Sequence, residues 1–188
     1  MIYLASKSPR RRQLLTLLGV SFEIIAVDIH EQWDGLEPAA DYVQRLALEK
    51  AQAAKARVAA GRPVLAADTE VVIDNEILGK PADKAAAMAM LKKLSGRSHQ
   101  VLSAVALIDD AEHITLNSNR VSFKLLSPSE CDSYCETGEP YDKAGGYAIQ
   151  GRAAAFVTRL QGSYSGVMGL PLQETARLLS NCKQPVSG

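Results

Sequence analysis

The chain has 188 residues, 47% hydrophobic and 22% charged, enough to build a globular core without disulfide or metal staples. Basic and acidic residues are equal at 21 each, so the basic excess of a general nucleic-acid binder is missing and no nucleic-acid partner is expected. The odd, sparse cysteines Cys131, Cys135 and Cys182 exclude a disulfide framework and fit a reducing compartment, and no apolar run reaches the roughly 20 residues of a membrane span.

The N-terminal MIYLASKSPRRR places its apolar stretch before its positive charges, the reverse of a secretory signal, so a cytoplasmic location is expected. Ile2–Ala5 is a short strand candidate. Ser8-Pro9 opens a helix through Leu18, with Ser8 as N-cap, Pro9 at the first helical position and Gly19 as the stop. Phe22–Val27 reads as a strand, Ala39–Ala60 as a long helix ending at Gly61, and Val64–Ile73 as an apolar strand. Asp74-Asn75 forms a tight turn into Ile77-Leu78. Ala82–Leu94 is helical and closed by Ser95-Gly96, and Gln100–Ile108 pairs with His113–Leu126 as a hairpin. Ser127-Pro128-Ser129-Glu130 has the form of a capping box, predicting a helix to about Thr137. Glu139–Gly151 is a glycine-containing loop, Ala154–Leu160 a strand, Leu170–Leu179 the last helix and Gln184–Gly188 a loose tail. Helices alternating with strands around one hairpin predict an α/β fold with a mixed sheet.

Several residues break local rules. Arg10, Arg11 and Arg12 occupy the first turn of the first helix, where the helix dipole disfavours cations. They are either solvated with their stems on neighbours, or they join the free N–H groups around a bound phosphate. Asp68 lies inside the apolar strand Val64–Ile73, where a carboxylate is costly unless paired or metal-bound. It is either a strand-end cap, with Thr69 and Glu70 marking the exit from the core, or part of a ligand site at a strand end. Lys80 in Gly79-Lys80-Pro81, Lys143 in Asp142-Lys143-Ala144-Gly145-Gly146, and Lys50 on the long helix are surface groups or phosphate contacts. Asp28 and Glu31 offer hard oxygen donors or form a solvated loop. His99 alone reads as structural rather than catalytic. Peptidase, serine-hydrolase, P-loop and dinucleotide-binding motifs are absent.

Taken together, Leu4-Ala5-Ser6-Lys7-Ser8-Pro9-Arg10-Arg11, Arg45–Ala51, Ala67-Asp68-Thr69, Gly79-Lys80-Pro81, Leu94–Val101, Asp142–Gly151 and Gly162–Leu172 resemble, in order, the Maf family of nucleotide pyrophosphatases. The resemblance covers nearly the whole chain. It implies one domain over residues 1–188, with a twisted mixed β-sheet, flanking helices and two lobes around a deep cleft. It also implies a nucleoside triphosphate substrate, dependence on Mg²⁺ or Mn²⁺, and a homodimer. The family's catalytic aspartate corresponds to Asp68 and its acidic metal-site partner to Glu31. Its phosphate-binding positions correspond to Ser6, Arg11, Lys50 and Lys80, and Lys143 adds a substrate contact from the glycine-rich segment. Members acting on thymidine and uridine triphosphates carry Arg, Thr and Gln where this chain has Arg10, Thr69 and Gln150. Members acting on 7-methyl-GTP typically carry Trp, Gln and Glu at those places. Gly166 departs from the family, where a larger residue, often Asn, is usual. The resemblance implies that the cations clamp the phosphates, the divalent ion bridges phosphate to Asp68 and Glu31, and Asp68 orients or deprotonates the attacking water. A pyrophosphatase for another modified nucleotide, or a nucleotide-binding cell-division regulator, is the alternative.

Overall fold

The computed structural model describes residues 1–58 and 61–182. The last residues of the predicted long helix, Ala59 and Ala60, and the predicted tail Gln184–Gly188 lie outside the described residues.

The chain runs β1 (Ile2–Ala5), α1 (Pro9–Leu17), β2 (Phe22–Ile24), α2 (Ala39–Lys55), β3 (Val64–Ile73), β4 (Glu76–Leu78) and α3 (Lys84–Leu94). It continues through β5 (Ser98–Ile108), β6 (Glu112–Phe123), α4 (Pro128–Cys135), β7 (Val157–Gln161), α5 (Tyr164–Met168) and α6 (Leu172–Ser180). The seven strands form one mixed sheet in the order β2-β1-β3-β5-β6-β7, with β4 also against β3. β1 pairs parallel with β2 and β3. β3, β5, β6 and β7 follow antiparallel. The predicted α/β fold with a mixed sheet and flanking helices is therefore the one observed.

Side-chain alternation along β3 assigns its two faces. Val64, Ala66 and Val72 pack with Val43, Ala47, Ala51 and Ala54 of α2. Leu65 and Ala67 pack on the other side with Leu14 and Leu15 of α1 and Leu179 of α6. Farther along that side, Val71 and Ile73 join Leu91, Val121, Phe123, Tyr134 and Phe156.

β3 also contains a break in pairing that decides the rest. One of its edges is covered by β5 from Val64 to Val72. On the other edge β1 ends opposite Ala66, and β4 covers only Val71 to Ile73. Residues 67–70 have no strand on that side. The polar run Asp68-Thr69-Glu70 is thus not the exit from the strand but its uncovered middle.

The expected boundaries shift for local reasons. β2 stops at Ile24 rather than Val27, a short strand at the sheet edge. α2 closes at Lys55 rather than Ala60, with Ala56 as its C-cap. α3 starts at Lys84 rather than Ala82, because Asp83 Oδ1 accepts the Ala86 N–H at 2.8 Å and is the N-cap. The hairpin strands run Ser98–Ile108 and Glu112–Phe123, two residues earlier and three shorter at their outer ends than predicted. The α4 capping box forms, but the helix ends at Cys135. The expected strand from Ala154 is instead a 3₁₀ turn, Arg152–Phe156, leading into β7. α5, capped by Ser163, falls in a stretch with no sequence expectation, and α6 starts at Leu172 rather than Leu170. The glycine-containing loop folds into two short 3₁₀ turns, Glu139–Asp142 and Ala144–Gly146.

His99 is structural. Its ring packs edge-on to Phe123 and Tyr147, and Nε2 lies 2.8 Å from the Tyr147 hydroxyl. Burial pushes its pKa down from 6.5 to about 4. A depressed histidine pKa means that the unfolded chain binds the proton more readily. The stability tied to neutral His99 is complete above pH 6.5 and is lost as pH falls towards 4, by on the order of 3 kcal/mol. Unfolding free energies of the wild type and His99→Gln, measured across that range, are expected to converge as pH falls. A gap independent of pH contradicts this role.

Candidate active site

The break in β3 opens into a cleft of about 660 Å³. Its lining includes all ten residues that the family resemblance points to: Ser6, Arg10, Arg11, Glu31, Lys50, Asp68, Thr69, Lys80, Lys143 and Gln150. Arg12, the third member of the arginine run, is exposed and does not line it.

One wall is anionic. Apolar positions 43, 46, 47, 51 and 54 of α2 form a buried stripe on the sheet, and Lys50 lies within that stripe's angular range. Its stem is thereby held against the sheet and its head is delivered to the cleft. Nζ sits 2.5 Å from Asp68 Oδ1 and 2.7 Å from Glu31 Oε1. Asp68 is 5% exposed, and its Oδ2 is buried with no partner among the described residues. Glu31 comes from the irregular segment between β2 and α2. That segment is pinned by Lys7 to Asp28, by Trp33 Nε1 donating to the Glu37 carbonyl, and by Arg45 on the Glu37 carboxylate. Burial raises the Glu31 pKa, but the Lys50 hydrogen bond and the charges of Lys50, Lys80 and Arg11 outweigh it and leave the group lowered.

Glu70 was missed as a site residue. It lies on the same strand face as Asp68, and it is only 9% exposed. Burial first, then the Asp68 charge, raises its pKa to about 8. Tyr42 of α2 reports the same negative field: burial, with Glu70, Asp68 and Glu31, pushes its hydroxyl up to about 12. The signal for Glu70 was present in the period-2 alternation that puts 66, 68, 70 and 72 on one face.

The opposite wall is cationic. β1 ends at Ala5, and Ser6 Oγ accepts the Ser8 N–H at 3.1 Å, shaping the turn into α1. Ser8 Oγ caps the helix at the Arg11 N–H. Arg11 reaches across, with Nε donating to the Gly169 carbonyl at 2.8 Å and Nη2 to Thr69 Oγ1 at 3.2 Å. Ser103 Oγ lies 2.8 Å from Thr69 Oγ1 and 2.7 Å from the Gly166 carbonyl. The carbonyl only accepts, so Ser103 donates to it and Thr69 donates to Ser103. Thr69 is left as the acceptor for Arg11, and the chain of donors runs one way.

Gly166 ends that chain, and the space beside it is taken. A β-carbon there would stand 2.3 Å from Asn117 Oδ1 and 2.9 Å from Asn119 Nδ2. Asn119 in turn accepts the Ser163 N–H at 2.6 Å, at the cap of α5. The amides of β6 fill the space that a larger residue at 166 would take.

The remaining cations arrive from two loops held together. Gly145 N–H donates to the Gly79 carbonyl at 3.0 Å. Gly145 has a φ of 68°, and a β-carbon would come within 2.8 Å of Val71 Cγ1, so only glycine fits. This contact sets Lys80 and the segment carrying Lys143 and Gln150 on one side of the cleft. Lys80 and Gln150 are exposed. Lys143 is tied to the Glu139 carbonyl at 2.7 Å and to Asp142. Asp142, also missed, bridges to Arg10 Nη1 at 3.2 Å. Its signal in the sequence was its place at the head of Asp142-Lys143-Ala144-Gly145-Gly146.

The family model described as Maf-like protein matches residues 1–182. A protein of Methylobacillus flagellatus named dTTP/UTP pyrophosphatase is 51% identical, covering 100% of this chain and 95% of its own. One of Salmonella typhimurium with the same name is 52% identical, over 96% of this chain and 92% of its own. A nucleoside triphosphate pyrophosphatase of Xylella fastidiosa is 52% identical, over 98% and 100%. Among solved structures, the Staphylococcus aureus Ham1 protein aligns with 65% of this chain and 71% of its own at 14% identity and a TM-score of 0.47, a likeness too loose to carry an argument. With the family model spanning nearly every residue and relatives about half identical along their length, the chain belongs to the Maf family.

Proposed function

We propose that the chain is a nucleoside triphosphate pyrophosphatase that hydrolyses dTTP and UTP, modified pyrimidine forms included, to the monophosphate and pyrophosphate, cleaning the nucleotide pool. The observation that carries this reading is the division of one cleft into two walls. Lys50 clamps Asp68 and Glu31 on one side, and Arg10, Arg11, Lys80 and Lys143 line the other. The names of relatives about half identical support the same reaction and substrates.

A triphosphate repels a nucleophile through its own charge, so catalysis consists mainly of neutralisation and positioning. Ser6, Arg10, Arg11, Lys80 and Lys143 bind the phosphate chain. Lys50 fixes Asp68 through Oδ1, which leaves Oδ2 as an acceptor. Asp68 orients or deprotonates a water that attacks the α-phosphorus, and pyrophosphate leaves. Gln150, exposed at the rim, offers one acceptor and two donors to a pyrimidine edge.

The residues present fit a divalent cation. Asp68 Oδ2 is an orphaned buried oxygen, and Glu31 contacts Lys50 through Oε1 alone. Carboxylate oxygens are the donors Mg²⁺ and Mn²⁺ favour. Among the described residues no three His, Cys, Asp or Glu side chains make a ready metal cage, so water and phosphate oxygens would complete the shell of an ion held here. Asp68 and Glu31 would hold such an ion, whose chemistry there would be to neutralise phosphate charge and polarise the phosphoryl oxygens. We propose further that the enzyme is one domain of two lobes, works in the cytoplasm and is a homodimer. Among the described residues no helix is long and apolar enough to cross a membrane.

Asp68→Asn is expected to lower turnover of dTTP by about 10²-fold or more while the melting temperature shows a folded protein; near-normal pyrophosphate release would remove Asp68 from this role. Gln150→Glu is expected to depress kcat/KM for dTTP and UTP more than for purine nucleotides. An equal loss for all would argue against base reading by Gln150.

A further inference from the structure

Glu70 has no part in the chemistry above, yet it lines the same cleft. It follows Asp68 by two residues on β3, so both carboxylates leave the strand on the α2 side. Ala66 and Val72, before and after them on that side, are buried in the apolar cluster with α2. Glu70 is 9% exposed, and no described side chain or backbone group hydrogen-bonds or ion-pairs with it. Asp68 is 5% exposed, with Oδ2 buried and unpartnered. Lys50, the ammonium at this wall, is already shared between Asp68 and Glu31.

Two neighbouring carboxylates thus present unpartnered oxygens to one hollow, in a strand whose other residues on that face are apolar. An apolar residue at 70 would pack there without any desolvation cost, whereas a buried unpaired carboxylate is strongly disfavoured. Lys50 is already bonded to Glu31 and Asp68, and Lys80 and Arg11 act on this wall through their charge alone, with no ion pair to Glu70. A doubly charged ion would supply the missing partner, and it takes oxygen donors of this kind, one or two carboxylates with the rest from water and phosphate.

We propose that Glu70 is a direct ligand of a divalent cation, sharing it with Asp68 on the α2 side of β3. This deepens the reading of the cleft as a metal-dependent triphosphate site and rests on it. Under this assignment Glu70 is part of the cation site itself. The competing role for Glu70 is an ion pair with the exposed Lys80 across the cleft.

The test uses the full chain without nucleotide, titrated with Mn²⁺, with free Mn²⁺ read by electron paramagnetic resonance. Wild type, Asp68→Asn, Glu70→Gln and Lys80→Gln are compared, and melting temperatures in EDTA confirm folding. Glu70→Gln and Asp68→Asn are each expected to weaken Mn²⁺ binding by roughly 10-fold or more, while Lys80→Gln does not. Glu70→Gln is also expected to lose the rise in melting temperature that Mn²⁺ gives the wild type. Wild-type affinity in Glu70→Gln with loss in Asp68→Asn would overturn the Glu70 assignment and leave the metal site standing. Absence of Mn²⁺ binding in the wild type itself would overturn the assignment together with the metal reading beneath it.

Discussion

Lys50 Nζ stands 2.5 Å from Asp68 Oδ1 and 2.7 Å from Glu31 Oε1, and this bridge joins a helix, a strand and an irregular segment at one point. Taking such charges out of water is expensive, and their attraction offsets the cost only with good geometry and further hydrogen bonds. The geometry here comes from packing. α2 lies on the sheet through small side chains, Ala47, Ala51 and Ala54, which are fully buried. The helix therefore approaches closely enough for a lysine in the same stripe to reach β3. The sheet supplies the other condition: β1 stops before Asp68 and β4 starts after Glu70. A continuous neighbour strand there would close the hollow.

The two walls are then distinct in charge and in the way they are held. The anionic wall is built on a central strand and a long helix, with Glu31 added from the irregular segment before α2. The cationic wall is assembled from the turn after β1 and from the Lys80 and Lys143 loops, joined through Gly145 and Gly79. Arg11 links them, because its Thr69 partner sits on β3 beside Asp68 but faces the other side of the sheet. Asp142 between Arg10 and Lys143 pairs with both, so their charges are already partly neutralised at the mouth of the two loops.

Much of this was legible in the sequence. The alternation of elements gave the mixed sheet, the Ser8 and Ser127 caps placed two helix starts, and the rule-breaking Arg10-Arg11 and Asp68 pointed to one site. What escaped was long-range. Nothing local tells that β1 and β4 leave residues 67–70 uncovered, so Asp68-Thr69-Glu70 read equally well as the end of a strand. Glu70 was passed over for that reason, although alternation alone places it beside Asp68. Asp83 rather than Ala82 begins α3 because its side chain makes the cap. α5 is too short for periodicity to show and depends on Ser163 and the Asn119 contact. Gly166 is legible as a departure from the family, but the neighbours Asn117 and Asn119 that fill the space beside it are not.

The central claim is that the carboxylate held by Lys50 directs water to the α-phosphorus of a triphosphate. Hydrolysis of dTTP in ¹⁸O-labelled water, with both products analysed by mass, tests it most directly. Label in dTMP, with unlabelled pyrophosphate as the other product, is the expected result. Label in pyrophosphate, or release of dTDP and inorganic phosphate, would contradict it.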